Sequence, residues 1–416
     1  MSTVLVIGYV WPEPNSSAAG RRMLQLLEYF TSSKYKVIFA TTAAPSSNAA
    51  DLIALGISSV KIELNNSSFD AYIQELQPEI VLFDRFMMEE QFGWRITKNS
   101  PGSIKILDTE DLHFLRNYRE KEVIASSSIT NSELAKREVA SIYRCDLSLI
   151  ISEVEIGLLK ETFKVSEDLL LYLPFLLNAI SDSEIEFLPR FEERQHFISI
   201  GNFKHRPNVD AVRFLKKEIW PLIREELPYE ELHIYGAYPT ATVNQLNNPK
   251  ENFHIKGWAK DAEEVVKRSK VSLAALRFGA GLKGKLTEAM QCGTPTVTTN
   301  IGAEGMHGGF PWNGFVENDP KAFARAAIKL YTTKVLWQEA QSNGFKLINE
   351  RYYKNAYYKI LDEKLIYLKN GLSKHRQHNF IGGMLMHHRV KSTQHLSKYI
   401  EVKTELEALK SSSFKD

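Results

Sequence analysis

The sequence predicts an α/β protein made of two doubly wound parallel sheets. Short apolar runs alternate with amphipathic segments along the chain, which is typical of parallel strands covered by helices on both faces. The alternation starts again after a polar, acidic segment at Asn178–Arg194. With 416 residues, 44% of them hydrophobic, the chain is long enough for two or three domains that each bury a core. We therefore expect two Rossmann-like domains.

Each half of the chain contributes its own series of strands and helices. In the first half we expect strands at 4–9, 36–41, 59–64, 80–84, 104–109, 147–152 and, from a weaker pattern, 169–175, with amphipathic helices at 20–30 and 131–145. In the second half we expect strands at 197–203, 232–238, 253–258, 271–276 and 295–299, with a helix at 209–226. The predicted boundaries are a first domain at 1–180, a linker at 181–194, a second domain at 195–365 and a helical tail at 366–416.

Charge and cysteine content exclude several classes of protein. The net charge of +2 gives no reason to expect a nucleic-acid partner. Cys145 and Cys292 both lie in apolar patterns, which favours reduced thiols over disulfides. The chain starts without a basic leader, and no apolar run approaches the roughly 20 residues that span a bilayer. We expect a cytoplasmic protein, with or without contact to a membrane surface.

The most informative segment is the glycine-rich stretch Phe278–Gly305, which matches two nucleotide-binding patterns incompletely. Gly279, Gly281 and Gly284 form the G-x-G-x-x-G of dinucleotide-binding proteins, and the same stretch contains the G-x-x-x-x-G-K of a P-loop. A P-loop needs Ser or Thr where Leu286 stands, and the dinucleotide pattern needs an acid near Asn300. An enzyme that depends on NAD(P) or another nucleotide in one of these ways is therefore an alternative reading.

A third pattern fits the stretch better. An apolar strand leads into the glycines, a helix begins near Gly284, and Glu288 lies one turn inside that helix. A diphosphate on the helix N-terminus would meet backbone N–H groups and the charges of Lys283 and Lys285, while Glu288 reaches a ribose diol. With A-M-x-x-G-x-P-x-V and G-A-E-G following, the segment resembles the donor-nucleotide loop of group 1, family 4-like glycosyltransferases of the GT-B fold.

The resemblance implies a fold and an activity. It implies two domains that face each other across a cleft, with C-terminal helices that cross back onto the first domain. It also implies retaining, metal-independent transfer of a sugar from a nucleotide-diphosphate sugar to a glycan, a lipid-linked glycan or a small molecule. The usual loop has two glutamates, and Ala280 stands in place of the first. The sequence matches a branch with GAGxKGK at this site, and Ala280 also leaves open a non-catalytic module of the same fold.

The second domain is expected to hold the donor without a cofactor. No two aspartates are two residues apart, so the Asp-x-Asp motif of metal-dependent transfer is missing and no metal is predicted. Fixed cations would meet the diphosphate instead, with Lys204 or Arg206 joining the loop lysines; a solvated basic turn is the alternative for GNFKHRPN. Trp258 is predicted to border the base or to pack between domains. The donor-binding residues implied in the second domain are Gly201, Asn202, Lys204, Arg206, Gly257, Trp258, Gly279, Ala280, Gly281, Leu282, Lys283, Gly284, Lys285, Glu288 and Glu304.

The first domain is expected to supply the acceptor side. Gly8–Arg22 forms a long polar loop after the first strand, with Arg21 and Arg22 in the first turn of a helix, where an anion would offset the unfavourable helix dipole. A salt-bridged surface pair is the alternative. In the family a His after the strand at 104–109 helps to position the sugar, so His113 or Glu110 is the candidate here; a helix cap with a packed His is the alternative. The predicted catalytic residues are His113, Glu110, Lys285 and Glu288, and the predicted acceptor-side residues are Asn15, Gly20, Arg21, Asp84, Arg85 and Asp111.

The C-terminal tail is basic and rich in histidine. Lys374–Ile400 contains five of the chain's eleven histidines, without a Cys or carboxylate at the usual zinc spacing, so we predict no metal site there. The positive charge admits two interpretations, which are contact with an anionic membrane that holds a lipid-linked acceptor, or a solvated tail.

Overall fold

The computed structural model describes residues 2–122 and 129–387, together with residues 399 and 403. Within these residues, thirteen strands form two fully parallel sheets. The strands are β1 (Thr3–Gly8), β2 (Lys36–Thr41), β3 (Ser58–Lys61), β4 (Ile80–Asp84), β5 (Ile104–Asp108), β6 (Leu147–Ile150), β7 (Leu170–Tyr172), β8 (Gln195–Ile200), β9 (Leu232–Tyr235), β10 (Phe253–Gly257), β11 (Ser269–Ala274), β12 (Thr296–Thr298) and β13 (Gly314–Val316).

Helices cover both faces of each sheet. The helices are α1 (Ala18–Ser32), α2 (Ser68–Leu76), α3 (Phe86–Asn99), α4 (His113–Glu122), α5 (Glu133–Arg144), α6 (Glu153–Glu161), α7 (Asp182–Glu186), α8 (Arg206–Phe214), α9 (Trp220–Glu226), α10 (Ala241–Asn244), α11 (Ala262–Arg268), α12 (Gly284–Gln291), α13 (Asn300–Ala303), α14 (Pro320–Thr332), α15 (Lys334–Arg351), α16 (Lys354–His378) and α17 (Phe380–Met386). A π-helical stretch at Leu215–Ile219 joins α8 to α9 just before Pro221, whose missing N–H breaks the regular helical ladder.

The two sheets have the same topology. The first has seven strands in the order β3-β2-β1-β4-β5-β6-β7, and the second has six in the order β10-β9-β8-β11-β12-β13. In each sheet the direction of winding reverses between two central strands, β1 and β4 in the first and β8 and β11 in the second. Ligands of such sheets bind at the carboxyl ends of these strands. The predicted α/β fold with two doubly wound sheets is confirmed, while β13 was not predicted because its three residues show no readable period.

The alternation of side chains along buried strands explains their unbroken apolar sequences. In β1, Leu5 and Ile7 pack into one hydrophobic cluster, and Val4 and Val6 pack into another on the opposite face. Both faces are covered by helices, so the four consecutive residues 4–7 are all apolar.

The C-terminal helices cross back onto the first domain, as expected. Leu361, Leu365 and Leu368 of α16 are buried in the same cluster as Val4 and Phe30. The backbone at Leu177 pairs with Tyr353, immediately before α16 begins. The crossing therefore starts at about residue 353, before the predicted tail at 366–416. Of that tail, residues 388–398, 400–402 and 404–416 lie outside the described part of the chain.

Candidate active site

A cleft of about 450 Å³ lies between the two sheets, at the carboxyl ends of their central strands. The loops after β1 and β4 line it from the first domain, and the loops after β8 and β11 line it from the second. These loops follow the two strand pairs where the winding reverses, which is where parallel sheets of this kind bind ligands.

The glycine loop packs tightly against the first domain. Gly281 has a φ of +62°, and a Cβ there would lie 2.8 Å from the Cβ of Asp111. A side chain at this position would therefore clash as well as strain the backbone. Ala280 is buried, although it also lines the cleft, and packs into a hydrophobic cluster of the first domain.

Two lysines project from this loop and the start of α12 into the cleft. The Nζ of Lys283 donates to the carbonyl oxygen of Ala280 at 3.1 Å, and the Nζ of Lys285 donates to Oδ1 of Asn208 at 2.7 Å. Burial lowers the pKa of each ammonium to about 8, because desolvation disfavours the charged form. Both ammoniums donate to uncharged oxygens, so their positive charge remains available to a phosphate group.

Gly201 makes room for Lys285. A Cβ on Gly201 would lie 2.7 Å from both the Nζ of Lys285 and the amide of Asn208. The amide nitrogen of Asn208 in turn donates to the carbonyl oxygen of Asn202 at 2.8 Å. The loop after β8 thus fixes the position of the Lys285 side chain at the N-terminus of α12.

Glu288 and Arg21 meet across the cleft. The Nη2 of Arg21 lies 3.1 Å from Oε1 of Glu288, whose side chain is 7% exposed. Arg21 sits in the first turn of α1, which is capped by the side chain of Ser17. Gly20 allows the loop after β1 to lie on this turn, because a Cβ there would lie 2.4 Å from the backbone nitrogen of Glu13.

The next residue, Arg22, is buried and stabilises the first domain. Arg22 is 1% exposed and forms a salt bridge with the fully buried Asp108 at 2.7 Å. Its Nη1 also donates to the carbonyl oxygens of Leu173 at 2.8 Å and Pro174 at 3.1 Å. The two arginines therefore differ: Arg21 faces the cleft, while Arg22 ties α1 to β5 and to the segment after β7.

Two adjacent carboxyl groups after β5, those of Glu110 and Asp111, have opposite pKa shifts. Glu110 has a left-handed backbone with a φ of +65°, and its buried Oε1 has no hydrogen-bond partner. Burial raises the pKa of Glu110 to about 8, helped by the charges of Asp108 and Asp84. Burial by itself would also raise the pKa of Asp111. The ion pair with Arg116 outweighs this effect and lowers the pKa of Asp111 to about 2.

His113 and the residues after β4 complete the first-domain wall. Burial lowers the pKa of His113 to about 4, and its Nε2 lies 3.6 Å from Oδ1 of Asp111. Asp84 accepts the backbone N–H of Tyr9 at 2.9 Å, and burial raises its pKa. Arg85 lies 3.5 Å from Asp84, and its guanidinium stacks over the ring of Tyr9.

Two buried glutamates orient the loop that contains these groups. Glu138 on α5 accepts the N–H groups of His113 at 3.1 Å and Phe114 at 3.0 Å, which caps the start of α4. Glu155 on α6 accepts the N–H of Leu112 at 3.1 Å and the N–H of Gly281 at 2.8 Å. One carboxylate of the first domain thereby holds both sides of the cleft.

Lys204 and Arg206 are placed differently. Lys204 lines the cleft with its Nζ 3.5 Å from the centre of the Tyr238 ring. Arg206 is 78% exposed and pairs with Glu120 of α4 at 2.8 Å. Trp258 lines the cleft at 45% exposure, next to Gly257, and its Nε1 donates to the carbonyl oxygen of Asn15 at 3.4 Å. Of the two predicted basic candidates after β8, Lys204 faces the cleft.

Glu304 is held in a bidentate ion pair. Both of its carboxylate oxygens lie 2.7 Å from guanidinium nitrogens of Arg119, which is on α4 of the first domain. The Nη1 of Arg119 also donates to the carbonyl oxygen of Gly279 at 2.8 Å. Arg119 therefore connects the glycine loop, the G-A-E-G turn and the first domain.

Sequence reasoning missed Arg119, Glu155 and Asn208. Arg119 lies three residues after Arg116 on the same face of α4, so helical spacing was a usable signal. Glu155 lies five residues after the end of β6, at the carboxyl edge of the first sheet, where the other predicted polar residues of this domain also lie. Asn208 had no signal, because its role depends on Lys285, 77 residues away.

Comparison with known proteins agrees with this geometry. Residues 194–333 match the family model described as "Glycosyl transferases group 1". No curated protein matches the chain by sequence. Among the solved structures that are similar, sucrose-phosphate synthase from Thermosynechococcus elongatus has a TM-score of 0.68 at 13% identity, over 88% of this chain and 99% of that one.

Two further solved structures cover similar lengths. TarM from S. aureus, solved in a complex that includes UDP, has a TM-score of 0.67 at 11% identity, over 89% of this chain and 100% of that one. A glycosyltransferase from Rickettsia africae has a TM-score of 0.63 at 14% identity, over 89% and 99%. The chain has the GT-B fold of these structures, and its residues 194–333, within the second domain, match the model of the group 1 glycosyl transferases.

Proposed function

We propose that the protein transfers a sugar from a nucleotide-diphosphate sugar to a glycan, lipid-linked glycan or small-molecule acceptor, with retention and without a metal. The observation that supports this most strongly is the second-domain wall of the cleft. There the N-terminus of α12, two lysines bonded to neutral oxygens and Glu288 lie together. A diphosphate needs the first two features, and a ribose diol needs a carboxylate acceptor.

In this proposal the donor replaces the contact between Arg21 and Glu288. The diphosphate lies on the first turn of α12 between Lys283 and Lys285. The ribose hydroxyls donate to Glu288 and displace Arg21, which then stands free to meet the phosphate or the acceptor. Lys204 contributes a third positive charge from the loop after β8.

The transfer step needs no nucleophile from the protein. The bond between the anomeric carbon and the diphosphate oxygen breaks, and the acceptor oxygen bonds to that carbon from the same face. The acceptor proton passes to the departing phosphate oxygen. The lysines and the helix N-terminus stabilise the charge that develops on the diphosphate, and the closed cleft excludes water. His113, Glu110 and Asp111 line the opposite wall, where the sugar and the acceptor would lie.

Ala280 is compatible with an active enzyme, because another residue can supply a carboxyl group to the cleft. It removes one carboxylate from the loop, yet the cleft retains Glu110, whose Oε1 is buried and unpartnered. A carboxyl with its pKa raised to about 8 is protonated at neutral pH and can donate a hydrogen bond to a sugar hydroxyl.

A ligand screen tests the proposal. Purified protein is exposed to nucleoside diphosphates, their sugars, NAD(P) and Mg-ATP, with UDP as the first probe because the similar TarM structure contains it. Binding to a nucleoside diphosphate and slow hydrolysis of its sugar support the proposal, provided that Glu288→Ala or Lys285→Ala abolishes turnover. The exposed Glu339→Ala and Lys321→Ala are matched controls. Wild-type turnover in both cleft variants would refute the mechanism, and binding of NAD(P) or Mg-ATP alone would refute the function.

Contact with a membrane is a separate part of the proposal. Among the helices in the described ranges, none is long and apolar enough to cross a bilayer. On α17, however, Phe380 is 73% exposed and Met384 is 54% exposed, next to the basic tail. Co-sedimentation with anionic vesicles is expected for the wild type and lost in Phe380→Ser with Met384→Ser. Equal sedimentation with neutral vesicles, or no loss in the double variant, would contradict this interpretation.

A further inference from the structure

Three histidines and one glutamate gather at the amino edge of the second sheet. His196, His233 and His254 are each the second residue of their strands, β8, β9 and β10, and Glu231 immediately precedes β9. This edge is opposite the carboxyl ends that form the cleft. The cluster therefore has no part in donor binding as described above.

Strand register places the three histidines on one face. His254 pairs directly with His233, and His233 pairs with Ile198 of β8. His196 is two residues before Ile198, and its ring contacts that of His233, so it lies on the same face. The centroids of the His196 and His233 rings are 4.4 Å apart, and those of His233 and His254 are 5.6 Å apart.

The potential ligand atoms are close to one another. His196, Glu231 and His233 each offer a nitrogen or oxygen within 4.8 Å of the other two. The Oε2 of Glu231 lies 2.5 Å from Nε2 of His233 and 3.7 Å from Nε2 of His254. The carboxylate thus lies between two imidazoles.

Two imidazole nitrogens in this cluster have no hydrogen-bond partner. They are Nδ1 of His196 and Nε2 of His254, and both atoms are buried. A buried polar atom without a partner is costly and calls for an explanation, of which a bound ion is one. His196 also has a left-handed backbone with a φ of +61°, which is uncommon for a residue other than glycine.

We propose that His196, Glu231 and His233 bind a divalent transition metal ion, with His254 as the fourth ligand. Three imidazoles and one carboxylate suit zinc, which binds four nitrogen, oxygen or sulfur ligands as a tetrahedron. Magnesium and calcium prefer oxygen ligands and fit less well. Binding requires the ligand atoms to close to about 3.3 Å from one another, given zinc–nitrogen bonds of about 2.0 Å.

The metal has a structural role in this proposal. It would join the amino ends of three adjacent strands, in addition to the backbone ladder and the ring contacts at that edge. Its position away from the cleft is compatible with metal-independent sugar transfer. Lys256, also on β10, adds a positive charge near the site that opposes cation binding, so the affinity depends on Glu231.

Metal titration of the untagged, full-length protein tests the site. After treatment with a chelator, Zn²⁺ is added during calorimetry and thermal unfolding, and Co²⁺ is added for visible absorption. We expect one tight equivalent, a higher Tm and a four-coordinate cobalt spectrum. His196→Ala and His233→Ala should each weaken binding by more than the roughly 10–100-fold that loss of a supporting residue costs. His378→Ala, at an exposed histidine, should bind like the wild type.

Several outcomes would overturn the proposal. Absence of binding in the wild type would show a hydrogen-bonded His–Glu cluster without a metal. Unchanged affinity in His196→Ala and His233→Ala, or loss of binding in His378→Ala or His387→Ala instead, would place the ion elsewhere. Matching Tm values of the metal-free wild type and variants establish that the variants fold. Binding of UDP in the presence of chelator tests the proposed function separately.

Discussion

Glu155 of the first domain accepts the backbone N–H of Gly281 in the second at 2.8 Å, with the same oxygen that accepts the N–H of Leu112 at 3.1 Å. The other carboxylate oxygen is buried and has no hydrogen-bond partner. This side chain therefore sets the distance between the glycine loop and the loop after β5, and it does so at the cost of a half-satisfied carboxylate.

The first prediction concerns Glu155→Gln. Burial raises the pKa of Glu155 from its ordinary 4.5 to about 7, with Asp111 adding to the effect. The folded state thus favours the protonated form, and this contribution to stability, up to about 3 kcal/mol, is complete below pH 4.5 and lost as the pH rises to 7. The glutamine keeps one acceptor and carries no charge. We expect Glu155→Gln to raise Tm at pH 8, with a smaller difference at pH 5.

Thermal unfolding of both proteins between pH 5 and 8 measures this effect. Glu153→Gln, at an exposed residue of the same helix, is the control and should leave the pH dependence unchanged. A Tm for Glu155→Gln that falls below the wild type at pH 8 would show that the carboxylate is ionised and favourable in the fold.

The second prediction separates two adjacent arginines. Arg22→Met leaves the fully buried Asp108 without its guanidinium partner, which should destabilise the protein by about 3–5 kcal/mol. Arg21→Met removes a 30% exposed side chain from its contact with Glu288 and should destabilise the protein less than Arg22→Met, while it lowers turnover of the sugar donor. Urea unfolding and turnover are measured on both variants. Equal destabilisation would contradict the structural assignment of Arg22.

The third prediction concerns the charge of Lys285. The pKa of about 8 means that this ammonium loses its proton above pH 8 in the free protein. Binding of a nucleoside diphosphate must then restore the proton, so affinity should fall by about tenfold per pH unit above 8 for each lysine involved. Lys285→Arg keeps its charge at these pH values and should weaken this fall.

Calorimetry between pH 7 and 10 measures the affinity. The corresponding nucleoside, which has no phosphate, is the control. Its base loses a ring proton only near the top of this range, so between pH 7 and 9 its affinity should change much less than that of the diphosphate. A pH dependence that is the same for the nucleoside would assign the titration to another group.

The fourth prediction concerns Arg119. Arg119→Ala releases Glu304 and the carbonyl oxygen of Gly279 together, so the loop and the G-A-E-G turn lose their common support. Displacements on the order of 1 Å in a reacting group reduce rates by about 100-fold, and we expect kcat to fall by about 10–100-fold. The affinity for the nucleoside diphosphate should change much less, because Lys283, Lys285 and Glu288 remain.

Steady-state kinetics and calorimetry distinguish the two effects. Arg137→Ala, which removes an ion pair between Glu90 and a 53% exposed arginine, is the matched control and should leave both quantities unchanged. An equal loss of kcat in the two variants would point to a general effect on the first domain.

Local patterns were sufficient for the architecture and for the second-domain side of the cleft. The alternation of buried strands and amphipathic helices predicts the doubly wound sheets, because helices cover both faces of a parallel sheet. The spacing of the glycines, Lys285 and Glu288 within one loop and one helical turn places them together whatever the rest of the chain does. These features depend on neighbours within about ten residues.

The roles of several side chains were decided by tertiary structure alone. Arg21 and Arg22 are indistinguishable in the sequence, and only the position of β5 determines that Arg22 is buried against Asp108. Arg119 reaches a glycine 160 residues away, and the His196–Glu231–His233 cluster assembles only when β8 and β9 pair. The local sequence shows whether a residue is polar. Which residue it contacts depends on how distant segments pack. The sequence by itself therefore determined the fold and the composition of the glycine loop, and the packing of the two domains determined which polar residues lie together in the cleft.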